Sequence, residues 1–187
     1  MAMPAPSTAW TVEMVHALPD DGNRYEVIDG ELFVTPAPSP VHQRAVRELL
    51  YLIGPYVTAH AIGDALMAPA DVVYGPRKMV QPDLFVLPLV GGAPPRTWME
   101  VGHLILVAEV LSPSTRRADR GKKRDLYQDK GVPEYWVVDL DERLVERWRP
   151  NEASPETLTE RLEWRPDRLV EPLDIDLRAY FTRVHGQ

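Results

Sequence analysis

The chain has 187 residues, 44% apolar and 26% charged, with a formal net charge of −7. That length suits one domain able to bury a core, and the composition is close to the globular average. The absence of cysteine excludes disulfides and thiolate metal sites, and the acidic balance argues against a general nucleic-acid coat while leaving room for one local basic surface.

The N-terminal "MAMPAPSTAW" has neither the basic region nor the apolar stretch of a signal peptide. Thr8 to Leu18 predicts a short helix, stopped by "PDDGN". "RYEVIDGELFV" (24–34) predicts a hairpin, because Asp29-Gly30 accepts the positive φ of a tight turn between β-rich flanks. After the rigid loop "PAPSP", Val41, Ala45, Leu49 and Leu52 recur at helical spacing over 41–53, and Gly54-Pro55 is expected to weaken or end that helix. "ADVVYG" and "MVQPDLFVL" read as short strands separated by "GPRK", with Pro82 marking a strand start or an edge.

"VGGAPPRTW" is a loop, and His103 to Leu111 reads as a strand apolar on both faces, which is the mark of a central strand covered by helices. "SPST" then leads to a helix from about Asp119 to Lys130, closed by Gly131 with Pro133 just beyond. "EYWVVDL" (134–140) is a second apolar strand, expected to form a hairpin with 142–150 through Leu140-Asp141-Glu142. Residues 156–181 are expected to add short strands and a C-terminal turn. No apolar run reaches the roughly 18 residues of a membrane span, so a soluble cytoplasmic protein that makes no membrane contact is the expectation. The order of elements implies an α/β (α+β) fold with a central mixed β-sheet flanked by helices, an N-terminal β-hairpin, and a right-handed crossover between the strands at 103–111 and 134–140. A single domain over 1–187 is expected, its core at about 20–150 and an extension at about 151–187.

Glu109 stands out in that central strand. Residues two apart share a strand face, so Glu109 lies with Ile105, Val107 and Leu111, and a carboxylate buried there costs of order several kcal/mol. It needs a proton, a cationic partner or a metal ion. Asp83, just after Pro82 in another apolar strand, is a second such acid. If the two strands are neighbours, the carboxylates could converge and share a cation such as magnesium. The alternative is that Asp83 caps a turn and Glu109 pairs with an arginine.

The helix that follows carries Arg116, Arg117, Arg120, Lys122, Lys123 and Arg124. Its plain reading is a solvated helix with Asp119 and Lys123 paired at i,i+4. Two features favour a functional one: the helix directly follows the Glu109 strand, and Lys123, Leu126, Tyr127 and Lys130 share a face that would turn basic side chains toward the sheet. The remaining basic residues could contact phosphates without reading sequence.

"QPDLFVL", "LVAEVLSPSTRRADRGKKRDLY" and "KGVPEYWVVD", with "RYEVIDGEL" and "HQRAVRELL" upstream, resemble the bacterial Uma-type endonuclease family, formerly a domain of unknown function. The resemblance runs from about residue 11 to 181. It implies the PD-(D/E)XK superfamily and its restriction-endonuclease-like fold, with hydrolysis of DNA supported by Mg²⁺ or Mn²⁺. It implies Asp83 and Glu109 as the catalytic acids and metal ligands, joined by the Val110 carbonyl. The superfamily's usual lysine position falls at Leu111, which cannot serve, and the resemblance implies Lys123 on the next helix in its place. Glu26, His42 and Tyr127 are secondary candidates. Arg116, Arg117, Arg120, Lys122 and Arg124 are the candidate nucleic-acid contacts. A homodimer is expected from the habit of related nucleases of cutting both strands. The alternative function is an inactive nuclease-fold protein that binds nucleic acid or another protein.

Overall fold

The structure, a computed structural model, describes residues 9–98 and 101–186. In chain order the elements begin with α1 (Val12–His16), β1 (Arg24–Ile28), β2 (Glu31–Thr35) and α2 (Pro40–Ala59). Next come β3 (Gly63–Met67), β4 (Val72–Gly75), β5 (Lys78–Val80), β6 (Leu84–Pro88) and β7 (Leu106–Val110). A helical segment follows, made of α3 (Arg116–Ala118), a π-helical turn (Asp119–Lys123) and α4 (Arg124–Asp129). The chain ends with β8 (Glu134–Asp139), β9 (Leu144–Trp148), β10 (Glu156–Leu158), β11 (Arg161–Trp164), β12 (Leu173–Asp176) and α5 (Leu177–His185). Two compact units result, one from the residues up to Ala37 with Asp71–Gln81, the other from Pro38–Ala70 with Pro82–Gln187.

In the smaller unit, Asp29 and Gly30 both take positive φ (53° and 81°), as the predicted hairpin turn requires. The β1–β2 hairpin joins β5 and β4 in a four-stranded antiparallel sheet of order β2-β1-β5-β4. Val15, Val27 and Met79 form its core, with Trp10, Val12, Tyr25 and Leu32 packed around them. The first helix is shorter than predicted: Thr11 is its N-cap and accepts the Met14 N–H at 3.2 Å, and Thr8 lies outside the described residues.

The larger unit holds a six-stranded mixed sheet of order β10-β9-β8-β7-β6-β3. The pair β7–β8 is parallel and is joined by the 116–129 helical crossover, while the other neighbours are antiparallel. All five residues of β7 are buried, as expected of a central strand. Leu106, Ala108 and Val110 turn to one face, where they pack with Leu84, Val86, Trp136 and Val138 beneath α2 and α5. Val107 and Glu109 turn to the other.

Two expectations need correction. Pro55 does not end the second helix, which runs on to Ala59. The proline removes a hydrogen bond to the carbonyl of Tyr51, but Tyr51 is 63% exposed, so water can serve that carbonyl, while buried Ile53 and Val57 hold the helix on the core. The C-terminal turn is a nine-residue helix, α5, started by the Asp176 side chain on the Ala179 N–H (2.9 Å) and stopped by left-handed Gly186. Among the described residues no helix is long and apolar enough to cross a membrane.

Candidate active site

The register of β6 against β7 builds the site. Leu84 faces Ala108 and Phe85 faces Val107, so one step further along the antiparallel ladder sets Asp83 opposite Glu109. The alternation of strand side chains puts both on the face opposite to that of Leu84, Ala108 and Val110. Asp83 is 3% exposed and Glu109 is 2% exposed. Each carboxylate takes an amide from the other strand: the Val110 N–H donates to Asp83 Oδ2 at 2.9 Å, and the Asp83 N–H to Glu109 Oε2 at 3.4 Å. Hydrogen bonds to a charged acceptor contribute roughly 1.5–3 kcal/mol each, so this exchange offsets part of the burial cost and fixes both acids.

Side chains from two helices complete it. His42, in the first turn of α2, places Nε2 3.1 Å from Asp83 Oδ2, which puts a proton on that nitrogen. Its Nδ1 is buried without a hydrogen-bond partner. The cap of α2 is Ser39, and the His42 imidazole turns inward. From the crossover helix, Lys123 Nζ donates to Glu109 Oε1 at 3.1 Å and the Tyr127 hydroxyl donates to the same oxygen at 3.1 Å. Lys123 is 2% exposed and Tyr127 is fully buried, with the tyrosine ring tilted against Tyr135 of β8 at 4.9 Å. The sequence-predicted residues Asp83, Glu109, Lys123, His42 and Tyr127 therefore form one linked cluster. Glu26 is a buried residue of the smaller unit, where its Oε1 accepts the Gln81 N–H at 2.7 Å.

Asp119 belongs to the cluster and was not singled out in the sequence. Its Oδ1 lies 3.5 Å from Lys123 Nζ and the residue is 1% exposed. The i,i+4 pair expected on a solvated helix face therefore exists, but it is buried. The signal available was the Asp-x3-Lys-x3-Tyr spacing.

The five candidate phosphate contacts separate into two groups. Arg116 pairs with Asp141 (3.0 Å) and Asp139 (3.6 Å), and Arg120 with Glu146 (2.7 Å) and Asp139 (2.9 Å). Burial pushes the Asp139 carboxyl up, but the Glu142 amide and the two guanidinium groups outweigh it and hold the group below the usual range. The Glu146 carboxylate, followed by that of Asp139, raises Arg120 further against a smaller opposing effect of burial. Arg124 pairs with Asp125 and lies over the Trp148 ring at 4.9 Å. Arg117 and Lys122 are exposed.

Among the described residues no group of three or more His, Asp or Glu side chains gathers as a metal cage; Asp83 and Glu109 are the two strand carboxylates that could hold an ion. Two pinned carboxylates offer only hard oxygen donors, and that donor set fits Mg²⁺ or Mn²⁺, since magnesium commonly takes one or two carboxylates and keeps several waters.

The chain is similar to a crystal structure described as a "putative nuclease belonging to DUF820" from Anabaena variabilis ATCC 29413, with a TM-score of 0.74 at 19% identity, covering 94% of this chain and 99% of that one. A search of curated proteins returns no match. The family model Uma2, described as "Putative restriction endonuclease", matches residues 12–178. A mixed sheet, a matching fold and a family match over residues 12–178 lead to one assignment: the protein belongs to the Uma2 family, described as "Putative restriction endonuclease", and has a restriction-endonuclease-like fold.

Proposed function

We propose that the protein is a metal-dependent endonuclease that hydrolyses DNA phosphodiester bonds, with Asp83 and Glu109 as ligands of Mg²⁺ or Mn²⁺ and Lys123 beside the reacting phosphate. The observation that carries this reading is the meeting of two carboxylates from adjacent buried strands with a buried ammonium from the crossover helix. A bound ion would supply polarisation of the phosphate and a lowered pKa for the attacking water. The residues of this chain do the rest. His42 and the Val110 amide hold Asp83, and the Asp83 amide and Tyr127 hold Glu109, so both acids face the substrate in one orientation. Lys123 orients the attacking water and donates N–H bonds toward the charge that develops on the phosphate. Arg117 and Lys122, both exposed, would meet neighbouring phosphates, and Arg116, Arg120 and Arg124 would exchange their acidic partners for them. A homodimer would present two such sites to a duplex; sedimentation showing only monomer at micromolar concentration removes that part.

The test is a plasmid incubated with protein and Mg²⁺ or Mn²⁺, beside Glu109→Ala. Cleavage by the wild type and its loss in the variant is the expected result. Equal cleavage by both would sink the proposal.

A second reading draws on one observation: Glu109 Oε1 receives both the Lys123 ammonium and the Tyr127 hydroxyl, so groups of the chain itself satisfy that oxygen. In that reading the protein binds nucleic acid and does not cut it. Calorimetry that finds duplex binding but no metal uptake and no turnover would favour it.

A further inference from the structure

Asp119 opens the π-helical turn that ends at Lys123. Its backbone carbonyl accepts the Tyr135 hydroxyl at 2.9 Å, which ties this point of the helix to β8. Its carboxylate oxygen stands 3.5 Å from the Lys123 ammonium, and both residues are buried. In the proposed catalytic arrangement Lys123 acts beside Glu109, and Asp119 has no assigned part.

The helix geometry brings the three together. In an uninterrupted α-helix, each step of four residues carries a side chain about 40° round the axis, so Asp119, Lys123 and Tyr127 would fan across about 80°. A π turn is wider and rotates less per residue. With Asp119–Lys123 in that form, Lys123 and Tyr127 both reach Glu109 Oε1 while Lys123 keeps Asp119 beside it.

Charge supplies the reason for the second acid. A buried ammonium needs a counter-charge. If Glu109 serves a divalent cation, its attraction for Lys123 weakens and the like charge of the ion pushes the ammonium away. We propose that Asp119 is a positioning residue: its carboxylate holds Lys123 at the site independently of Glu109, so the ammonium stays in place when a cation binds. The purpose of this device rests on the nuclease reading, but the Asp119–Lys123 contact does not.

Two measurements test it. In the first, Asp119→Asn is made in the wild type and in Lys123→Met, and all four proteins are melted without metal. The expected result is that Asp119→Asn lowers the melting temperature more, or raises it less, when Lys123 is present, by at least about 3 °C. Equal shifts in both backgrounds would overturn the proposal. In the second, Asp119→Asn is assayed for Mn²⁺-dependent plasmid nicking and titrated with Mn²⁺ by calorimetry. A kcat at least about tenfold lower is expected, with KM for DNA and the Mn²⁺ affinity within about threefold of wild type, the signature of a contact that acts in the transition state. A wild-type kcat would overturn the positioning role even if the melting data show coupling. If the wild type and Glu109→Ala nick equally, the nuclease reading fails, and the melting comparison alone decides whether Asp119 holds Lys123.

Discussion

Replacing Lys123 with methionine tests whether the cluster is a dry, charge-balanced site. The methionine keeps an unbranched stem of similar reach and removes the ammonium. Lys123 lies 3.1 Å from Glu109 Oε1 and 3.5 Å from Asp119 Oδ1. At an effective dielectric of about 20, each contact is a gross attraction of about 5 kcal/mol. Against that sum of about 10 kcal/mol stands the burial cost of the ammonium itself, several kcal/mol, which the variant no longer bears. The difference is a net loss of about 3–5 kcal/mol, the range seen when one partner of a buried pair is removed. With a urea m-value of about 2 kcal/mol/M, the unfolding midpoint should fall by about 1.5–2.5 M without a change in slope. The double variant Glu109→Gln/Lys123→Met should recover about half of the loss, because it removes one of the two charges the single variant leaves uncompensated. A midpoint within about 0.5 M of wild type would mean that water already balances the charges. A double variant no better than the single would mean that the damage lies in packing. Either result would refute the electrostatic account of the site.

Mn²⁺ at a hundred times its dissociation constant should stabilise the wild type by about 2.7 kcal/mol, read as a rise in melting temperature that Asp83→Asn/Glu109→Gln abolishes; an equal rise in both would place the ion elsewhere. Gly63→Ala should destabilise by about 1–3 kcal/mol, because the added Cβ would sit 2.2 Å from the Leu87 carbonyl oxygen and 2.9 Å from Val86 Cγ1, and an unchanged melting temperature would contradict this. Burial holds the Glu134 carboxyl above its usual range despite the Trp136 indole N–H and the nearby Arg147 and Arg149, so the fold favours its protonated form and loses stability as pH rises through that range. Glu134→Gln keeps an acceptor for the indole and should melt higher than wild type at pH 7, with the advantage shrinking toward pH 4, and the opposite order would refute the reasoning.

What could be read in the sequence follows from how local each signal is. Asp29-Gly30 specifies its own turn, and the apolar run of β7 specifies a buried strand. Pro55 misled because a proline's effect depends on whether water reaches the carbonyl it leaves unbonded, and exposure belongs to the packed helix. The C-terminal helix was marked by Leu177, Tyr180, Phe181 and Val184 at helical spacing, a pattern that short strands upstream obscured. The pairing of Val27 with Met79, which joins Asp71–Gln81 to the N-terminal hairpin, carries no local period and could not be read.

In the site, the anomaly of Glu109 was visible because a charge interrupts an apolar strand. Asp119 was hidden for the converse reason: in a helix rich in arginine and lysine, one more charge looks like part of a solvated face. The apolar residues Leu126 and Tyr127 are both buried, and counting back by four and seven residues puts Asp119 and Lys123 on the same stripe. A helical pattern scored on apolar residues alone misses a stripe whose first turn is a buried ion pair. Leu111 shows why the ammonium comes from this helix and not from the strand. Its amide donates to the Val138 carbonyl at 2.9 Å and it is itself buried, so its position just past the end of β7 is filled by packing. The helix supplies the cation from the layer above the sheet, and the position of that cation then depends on the π turn, the Tyr127–Tyr135 contact and Asp119. Substitutions at Tyr135, whose ring lies against Tyr127 and whose hydroxyl donates to the Asp119 backbone carbonyl, should therefore shift the Lys123 ammonium as effectively as substitutions beside it.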